Sequence, residues 1–523
     1  MKKSTKRFLI VVLACVAIVI LFFVVSDCIL TSKLENYLKN SLPKTVQVDY
    51  KDLLVSTRKG EITLTNASVV KKGENTDITY LQLSVDTLLI EDVSYWDYFF
   101  NDKISIDNVF VKHPKVIYKY NDQANFKASS MAKSSTFDLD VDVERFSIKQ
   151  GNAQVFEVET DSLLFKVDNV ALQLEQINLS EKTLRNKMPI AFKSHQLSFD
   201  TLFYQLNQFD DLEIESSKLY DKKITFQGLK LYTKYPKQQF SELLDKERDH
   251  FDVKLEAINI DDYDFGFHQD STFYFKAQTT NFEIPKVSIY RDKLVEDDLT
   301  IKPLYSEMLR DLNFNLMLKE VFVNNASIEY YERTKVENHG GKISFSDFNA
   351  TLKNVGNTYD TTKKTQIDVT SMFMKNAPMK ANWVFDVNDA SDAFTFNAAI
   401  DNLSANAINV FSEPNLKVRF QGDMLKTLFT VTGNKHTSRV DLKTKYKNFD
   451  IIALRKDGKR KNKLLSDVLN IFVSKNSDDA TNQFRLGYKE NVERDKTKSV
   501  FNFLWLNVRA GLLDAMTNGV KEQ

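Results

Sequence analysis

The chain has 523 residues, enough for one large hydrophobic core or for two or three smaller ones. Its 71 basic and 71 acidic side chains cancel, so it lacks the net positive charge that is typical of nucleic-acid-binding proteins. Its two cysteines, Cys15 and Cys28, lie in or just after an N-terminal apolar run, which excludes disulfides and cysteine-ligated metals from the rest of the chain. We therefore expect β-pairing and apolar burial to hold the fold together.

The apolar run at the N-terminus predicts a membrane anchor. Residues 8–25 carry no charge and are mostly Val, Ile, Leu and Phe, and basic residues precede them. As a helix this run would be about 27 Å long, close to the hydrocarbon thickness of a bilayer. The preceding charges favour a cytoplasmic N-terminus, with the rest of the chain across the membrane. The run is longer than the apolar core of a signal peptide, so we predict that it is not cleaved.

Alternating apolar and polar residues predict that strands dominate the rest of the chain. A short helix capped by Thr31 or Ser32 should come first. Strands should then run from Val46 to about residue 232, and again from Phe314 to about residue 452. Helical spacing between these regions and a polar stretch before residue 300 indicate a boundary. We predict three parts: an anchor at 1–30, an N-terminal β region at 31–300 and a C-terminal β region at 301–523.

One apolar pattern recurs in the predicted strands, at residues 104–118, 141–155, 253–267 and 316–330. In the first copy, the apolar alternation shifts by one residue at Asn108, from even-numbered to odd-numbered positions. This shift predicts a bulge or bend in the strand. Residues 112–115, which include His113 and Pro114, predict a hairpin turn. Hairpins occur in any antiparallel β protein, but the shared change of face favours one reused unit.

The sequence predicts about twenty-five strands with one apolar face each, but only a few short helices to cover those faces. Two arrangements are then possible. Two sheets could cover each other as a sandwich, or the apolar faces could line a trough. An empty apolar trough is unfavourable in water. Acyl chains would fill it, and each methylene buried there would contribute about 0.8 kcal/mol of favourable free energy. The predicted lining consists of Ile104, Ile106, Val109, Val111, Val116, Val141, Val143, Phe146, Ile148, Val253, Leu255, Ile258, Ile260, Leu316, Leu318, Val321, Val323 and Ile328.

The last predicted element is an amphipathic helix. Its apolar residues lie on more than one side, so we expect it to be buried or to meet a membrane or a protein partner. The residues predicted to make that contact are Phe501, Leu504, Trp505, Val508 and Leu512.

The sequence contains no recognisable catalytic motif. Its six histidines are scattered without metal-ligand spacing, and it has neither a Gly-rich phosphate loop nor a Gly-x-Ser-x-Gly elbow. We therefore expect neither enzymatic activity nor a metal or cofactor.

The order of these features resembles the AsmA family of bacterial envelope proteins. The resemblance rests on the N-terminal anchor, the aromatic turn of helix at 93–100 and the strand pattern that begins at Lys103. Residues 341–352 and 498–505 are similar to the C-terminal region of AsmA-like proteins, which are themselves similar to TamB and to eukaryotic bridge-like lipid transfer proteins.

The resemblance implies a mainly β protein with an elongated, curved antiparallel β-groove behind a single inner-membrane span. It implies a periplasmic location for most of the chain and a role in moving phospholipid toward the outer membrane. The expected partners are the membrane, phospholipid and an outer-membrane or envelope protein. The alternative is a scaffold that assists outer-membrane protein assembly, with a closed apolar core and no lipid. No catalytic residues are implied.

Overall fold

The computed structural model describes residues 3–73, 78–101, 103–121, 140–337, 340–455, 475–477 and 483–517, without the side chains of residues 3–18, 20, 96, 98 and 99. The protein is mainly β, as predicted, with 59% of residues in strands and 16% in helices. It divides into two compact units, residues 1–205 with 213–221 and residues 206–212 with 222–523. The position of the predicted boundary, residue 300, lies inside the second unit.

Most helices are short, and two of those described begin at a serine that caps them. Ser94 accepts a hydrogen bond from the backbone N–H of Asp97, and Ser180 and Thr183 form a capping box. The helices of the first unit are α1 (Lys3–Asn36), α2 (Tyr95–Phe100) and α3 (Glu181–Leu184), with a π-helical turn at Tyr37–Ser41. Those in the described residues of the second unit are α4 (Lys237–Glu242), α5 (Tyr305–Arg310), α6 (Asn409–Leu416) and α7 (Val500–Thr517), with a 3-10 turn at Ala405–Ile408.

The described residues contain 25 strands. Those at residues 46–220 are β1 (Val46–Asp49), β2 (Asp52–Ser56), β3 (Glu61–Lys72), β4 (Thr79–Val93), β5 (Lys103–Lys112), β6 (Lys115–Tyr120), β7 (Asp140–Glu157), β8 (Leu163–Leu179), β9 (Ser194–Phe199), β10 (Thr201–Gln205), β11 (Asp210–Ile214) and β12 (Ser216–Tyr220). The remaining strands are β13 (Lys223–Thr233), β14 (His250–Asp261), β15 (Asp264–Phe267), β16 (Phe273–Glu283), β17 (Lys286–Asp292), β18 (Asn315–Arg333), β19 (Gly341–Gly356), β20 (Thr365–Phe373), β21 (Ala377–Phe385), β22 (Phe394–Ser404), β23 (Val418–Gly433), β24 (Thr437–Ala453) and β25 (Arg485–Glu493).

Helix α1 continues through the predicted helix start at Thr31, whose hydroxyl donates to the carbonyl of Asp27 one turn earlier (2.7 Å). Most of the predicted anchor, residues 8–25, lies outside the described side chains. Within the part of the chain that is described, no helix combines the length and apolar character that a membrane span needs. The anchor therefore stays a prediction.

The predicted hairpin at residues 112–115 is wrong, because the chain continues in the same direction through it. Both β5 and β6 pair antiparallel with β4 on one side and parallel with β7 on the other. Strands β16 and β17 lie in the same way between β14 and β18. Each unit therefore contains a mixed sheet, whereas we predicted a purely antiparallel one.

A single left-handed residue at this position bends the strand without reversing it. The neighbouring strands β4 and β7 span both halves and keep them in line. Left-handed φ values occur at the same position of each copy of the pattern: His113 (49°), Gln150 (57°), Asp262 (50°) and Asn325 (52°).

Strand β5 runs through Asn108, where we predicted a bulge or bend, and its register with β4 is the same on both sides of that residue. Asn108 pairs with Glu91 and Ile106 with Val93, so Asp107 lies opposite Asp92, which has a left-handed φ of 55°. A left-handed residue turns the side chains that follow it to the other face of the strand. It can therefore return a shifted apolar alternation to one face of the sheet.

Apolar burial differs strongly between the two units. Among the described residues, the fully buried apolar side chains of the first unit are Ala67, Val167, Leu174, Ile177, Phe199 and Ile214. The second unit has many more, and a large part of them form two continuous clusters, one around Val431 and one around Tyr446. The first unit therefore has apolar strand faces without a matching core.

Candidate functional site

An aliphatic row crosses the sheet of the first unit and passes through two of the predicted lining residues, Val111 and Ile148. Residues paired in register stand side by side on one face of a sheet. The row runs Leu53, Leu64, Leu88, Val111, Ile148, Leu172, Leu197 and Leu219, one residue from each strand. All of these side chains are half-buried, so no second layer of the described structure closes over them.

Two further rows on this face contain three more predicted residues. The row through Val116 is Val48, Val69, Leu83, Val116, Ala153, Val167 and Leu202. The row through Val109 and Phe146 is Val55, Ile62, Ile90, Val109, Phe146, Leu174 and His195. Ile106 pairs with Val143 and Ile104 with Val141, so the other four predicted residues of this unit also stand side by side across β5 and β7.

The one titratable group in these rows suits apolar surroundings. His195 packs edge-on against Phe192, with ring centroids 5.6 Å apart, and burial lowers the pKa of its imidazole. The side chain is therefore neutral at pH 7, and the rows present a continuous uncharged surface.

The predicted lining residues of the second unit also come together. Ile258 pairs with Phe282, and Phe282 pairs with Val323. Thr280 links Ile260 to Val321 in the same way. The others lie beside apolar partners: Val253 and Ile328 flank Val287, Leu255 pairs with Leu229, and Leu316 and Leu318 pair with Phe275 and Ala277. Of the predicted residues in this unit only Val321 is fully buried.

Helix α7 covers the far end of this apolar face. The row through Val323 continues as Ala350, Val369, Ala381, Ala398, Phe429 and Leu442. From Ala398 onward its side chains are buried in one cluster with Phe503 and Leu504 of α7. Trp383 and Phe385 on β21 belong to the same cluster, and Ile367 on β20 packs against it, so the open apolar face of the second unit lies mainly on the strands before β20.

The residues predicted for membrane or partner contact on α7 separate into two groups. Leu504 is buried, and Val508 and Leu512 pack against the same core, so these three face the sheet. Phe501 is 62% exposed and Trp505 is 47% exposed, so only these two of the five are available to a partner. The division follows from helical geometry, since residues 501 and 505 are one turn apart on the side away from the sheet.

Sequence reasoning missed one copy of the pattern, at Phe275, Ala277, Thr280, Phe282, Val287 and Ile289. These residues have the spacing of the first copy, and Pro285 stands where Pro114 does. They pair in parallel with the copy that begins at Leu316, as the first copy pairs with the one that begins at Val141. The shared proline was the available signal, but Thr280 interrupts the apolar row.

Comparison with known proteins adds no assignment, because no protein-family model and no curated protein matches this chain. Over the described residues, no group of three or more His, Cys, Asp or Glu side chains is arranged to hold a metal ion.

Proposed function

We propose that this chain is a membrane-anchored, AsmA-like envelope protein that binds or conducts phospholipid acyl chains along an apolar β-sheet face. In the proposal, the N-terminal helix lies in the bacterial inner membrane, the strands lie in the periplasm, and the lipid moves toward the outer membrane. The observation that carries the proposal is the half-buried aliphatic row through Val111 and Ile148.

An open apolar row of this length is unfavourable in water. Each half-buried Leu, Ile or Val leaves part of its side chain in contact with solvent, at a cost of about 25 cal/mol per Å² of apolar surface. Acyl chains would remove that contact along the whole row, and aliphatic side chains make no directional demands on a fluid ligand. The near absence of charge on this face favours a lipid tail over a peptide or a nucleic acid.

The first strands provide a place for lipid to enter. Leu21, Phe22 and Val24 on α1 are more than half exposed. Thr57, just after β2, donates from its backbone N–H and its hydroxyl to Oδ1 of Asp27, both at 2.5 Å. This contact fixes α1, at Asp27, beside the strand that carries Leu53, the first residue of the aliphatic row. The apolar helix and the apolar row would thus meet at the membrane surface.

The test is mass spectrometry of the lipids retained by residues 31–523, a segment without most of the anchor and its annular lipid. The variant V111D/I148D/I260D/V323D places a charge at four positions on the apolar faces of the two units. Stoichiometric phospholipid in the unmodified segment, lost in this variant, is the expected result, because a buried carboxylate is strongly disfavoured beside acyl chains.

The matched control charges the neighbouring residue on the other face of the same strands, in F110D/S147D/N259D/N324D. This control should keep its lipid. Retention of lipid by the folded apolar-face variant, or equal loss in both variants, would contradict the assignment of the face.

A second candidate, a lipid-free scaffold for outer-membrane protein assembly, is favoured by the closed packing beneath α7. There the apolar face is already covered by the chain itself, and Phe501 and Trp505 remain exposed for a protein partner. A monodisperse segment that retains no lipid would favour this candidate.

A further inference from the structure

The second unit carries a trough of about 900 Å³ across the strands from β18 to β25. It lies on the side of the sheet opposite α7, because its polar lining alternates along each strand with the buried residues beneath that helix. Asn397 and Thr430, for example, stand next to Ala398 and Phe429, which are buried beneath α7. The trough is therefore separate from the apolar face described above.

Two transverse rows of side chains form the trough. The first consists of Phe322, Thr351, Asp368, Asn382, Asn397, Thr430, Asp441 and Tyr488. The second consists of Asn349, Thr370, Lys380, Ala399, Leu428, Lys443 and Leu486. The first row is thus rich in carboxamides and hydroxyls with an aromatic ring at each end, and the second adds aliphatic side chains.

The centre of the first row is preorganised but keeps hydrogen-bonding capacity. Asn382 Nδ2 donates to Asp368 (2.8 Å), and Thr430 donates to Asn397 Oδ1 (2.8 Å). Gln366 donates to the second carboxylate oxygen of Asp368 (2.7 Å). Within the described residues, no protein group bonds to Asn382 Oδ1 or Asn397 Nδ2. An acceptor and a donor on adjacent strands are thus held in place for a ligand.

We propose that this trough binds an extended, uncharged oligosaccharide. Sugar hydroxyls both donate and accept, which matches a row of carboxamides and hydroxyls, and sugar ring faces pack on aromatic and aliphatic side chains such as Phe322 and Leu428. Asp441 is paired with Arg439 Nη2 (2.7 Å), and the trough also presents the carboxylate of Asp368 and the ammonium groups of Lys380 and Lys443. Charges of both signs are therefore mixed along the trough, which selects neither a phosphate polymer nor a basic peptide.

The spacing of the trough also suits a linear polymer. Adjacent strands are about 4.8 Å apart, so neighbouring side chains of a row, such as the two asparagines, have about that spacing. Side chains two strands apart in the row are about 10 Å apart. That interval is comparable with two units of an extended sugar chain. The proposal is independent of lipid binding, because it concerns the opposite face of the sheet.

The experiment is calorimetric titration of the full chain in nanodiscs with chitohexaose and with maltohexaose. We expect at least one of them to bind with a Kd below about 1 mM, and N382L/N397L to weaken that binding at least about tenfold. The matched control is N259L/N281L, a paired asparagine substitution on β14 and β16 of the same face, outside the trough. This control should change the Kd by less than about twofold.

A second variant, A399F, guards against misfolding of the first, because it keeps both amides and fills the trough with a ring. It should also abolish binding. The proposal is overturned if neither hexasaccharide binds at about 1 mM, if the folded N382L/N397L variant binds as the unmodified protein does, or if the control loses binding equally.

Discussion

Gly487 on β25 and Gly511 on α7 approach each other so closely that a Cβ atom at residue 487 would lie 2.0 Å from the carbonyl oxygen of Gly511. A Cβ at Gly511 would meet Leu442 Cβ at 3.0 Å, a contact that a small shift relieves. Helix α7 can therefore pack this closely on β25 only because residue 487 has no side chain.

We predict that G487A displaces α7 from the sheet and that G511A does not. The 2.0 Å contact is with backbone, so the helix itself must move, and the buried hydrogen bond from Ser438 to Asn507 (2.9 Å) weakens with it. Hydrogen exchange of the α7 amides measures the effect. Faster exchange in G487A alone is expected, whereas unchanged exchange in G487A would show that the contact is not needed to seat the helix.

Glu247 is the centre of a buried ion cluster, and its removal should destabilise the second unit. Its side chain is 1% exposed and meets Lys293 Nζ at 2.6 Å, Lys498 Nζ at 3.4 Å and Arg291 at 3.7 Å. E247Q leaves these cations without their shared counter-charge, which should lower the free energy of unfolding by about 3–5 kcal/mol.

The exposed pair of Glu296 with Lys246 provides the control. E296Q should cost less than about 1 kcal/mol in the same chemical denaturation experiment. Equal effects of the two substitutions would mean that the cluster around Glu247 contributes no more than a surface pair.

The histidines should titrate on opposite sides of their usual value of about 6.5. Hydrogen bonds to Asp86 and Gln150 raise the pKa of His113, whereas burial lowers the pKa of His195 and of His250. The stabilisation from the two half-buried, neutral histidines is complete above pH 6.5 and decreases as the pH falls below that value. That from His113 is complete below pH 6.5 and decreases as the pH rises through its folded pKa.

Histidine ring resonances followed by NMR as a function of pH test this order directly. His113 should give the highest midpoint, and H113Q should remove that titration without moving the other two. A midpoint for His195 or His250 above that of His113 would contradict the described environments.

The left-handed bend at Asn325 should restrict which residues are accepted there. Asn325 is exposed with a φ of 52°, a conformation that β-branched residues strongly disfavour. N325V should lower the free energy of unfolding by about 1–2 kcal/mol. N325G should leave the free energy of unfolding nearly unchanged. Chemical denaturation of the two variants distinguishes backbone strain from a lost side-chain contact. Equal losses in both variants would contradict the role of backbone strain.

Periodicity predicted which residues share a face, but not how the strands connect. The apolar residues of β5, from Ile104 to Val111, have the same spacing as their parallel partners on β7. Two neighbouring strands can stay paired only if a shift in the alternation of one lies beside the same shift in the other. His113 and Pro114 indicated a hairpin because local turn chemistry is the same for a bend and a reversal. Only pairing with β4 and β7 distinguishes the two outcomes, and pairing between distant strands is not encoded locally.

The extent of the open face was also beyond the sequence. The apolar residues of β23 and β24 look like those of β5 and β7, yet Val431 and Val440 are buried beneath α7 whereas Val111 and Ile148 are half-buried. Apolar spacing on both sides of α7 indicated burial or a partner surface, but not which side chains of the helix would face the sheet. The trough gave no signal, because its rows depend on the register between successive strands from β18 to β25, which the spacing within any one strand does not indicate.

The central claim is that acyl chains lie on the apolar face and not on the other side of the same strand. Site-specific photocrosslinking in cells tests it most directly, with a benzophenone amino acid at Val111 or, for comparison, at its neighbour Phe110, which points to the opposite face. We predict phospholipid adducts, detected by mass spectrometry, from residue 111 and none from residue 110. Absence of lipid at residue 111, or equal labelling at both positions, would contradict the account.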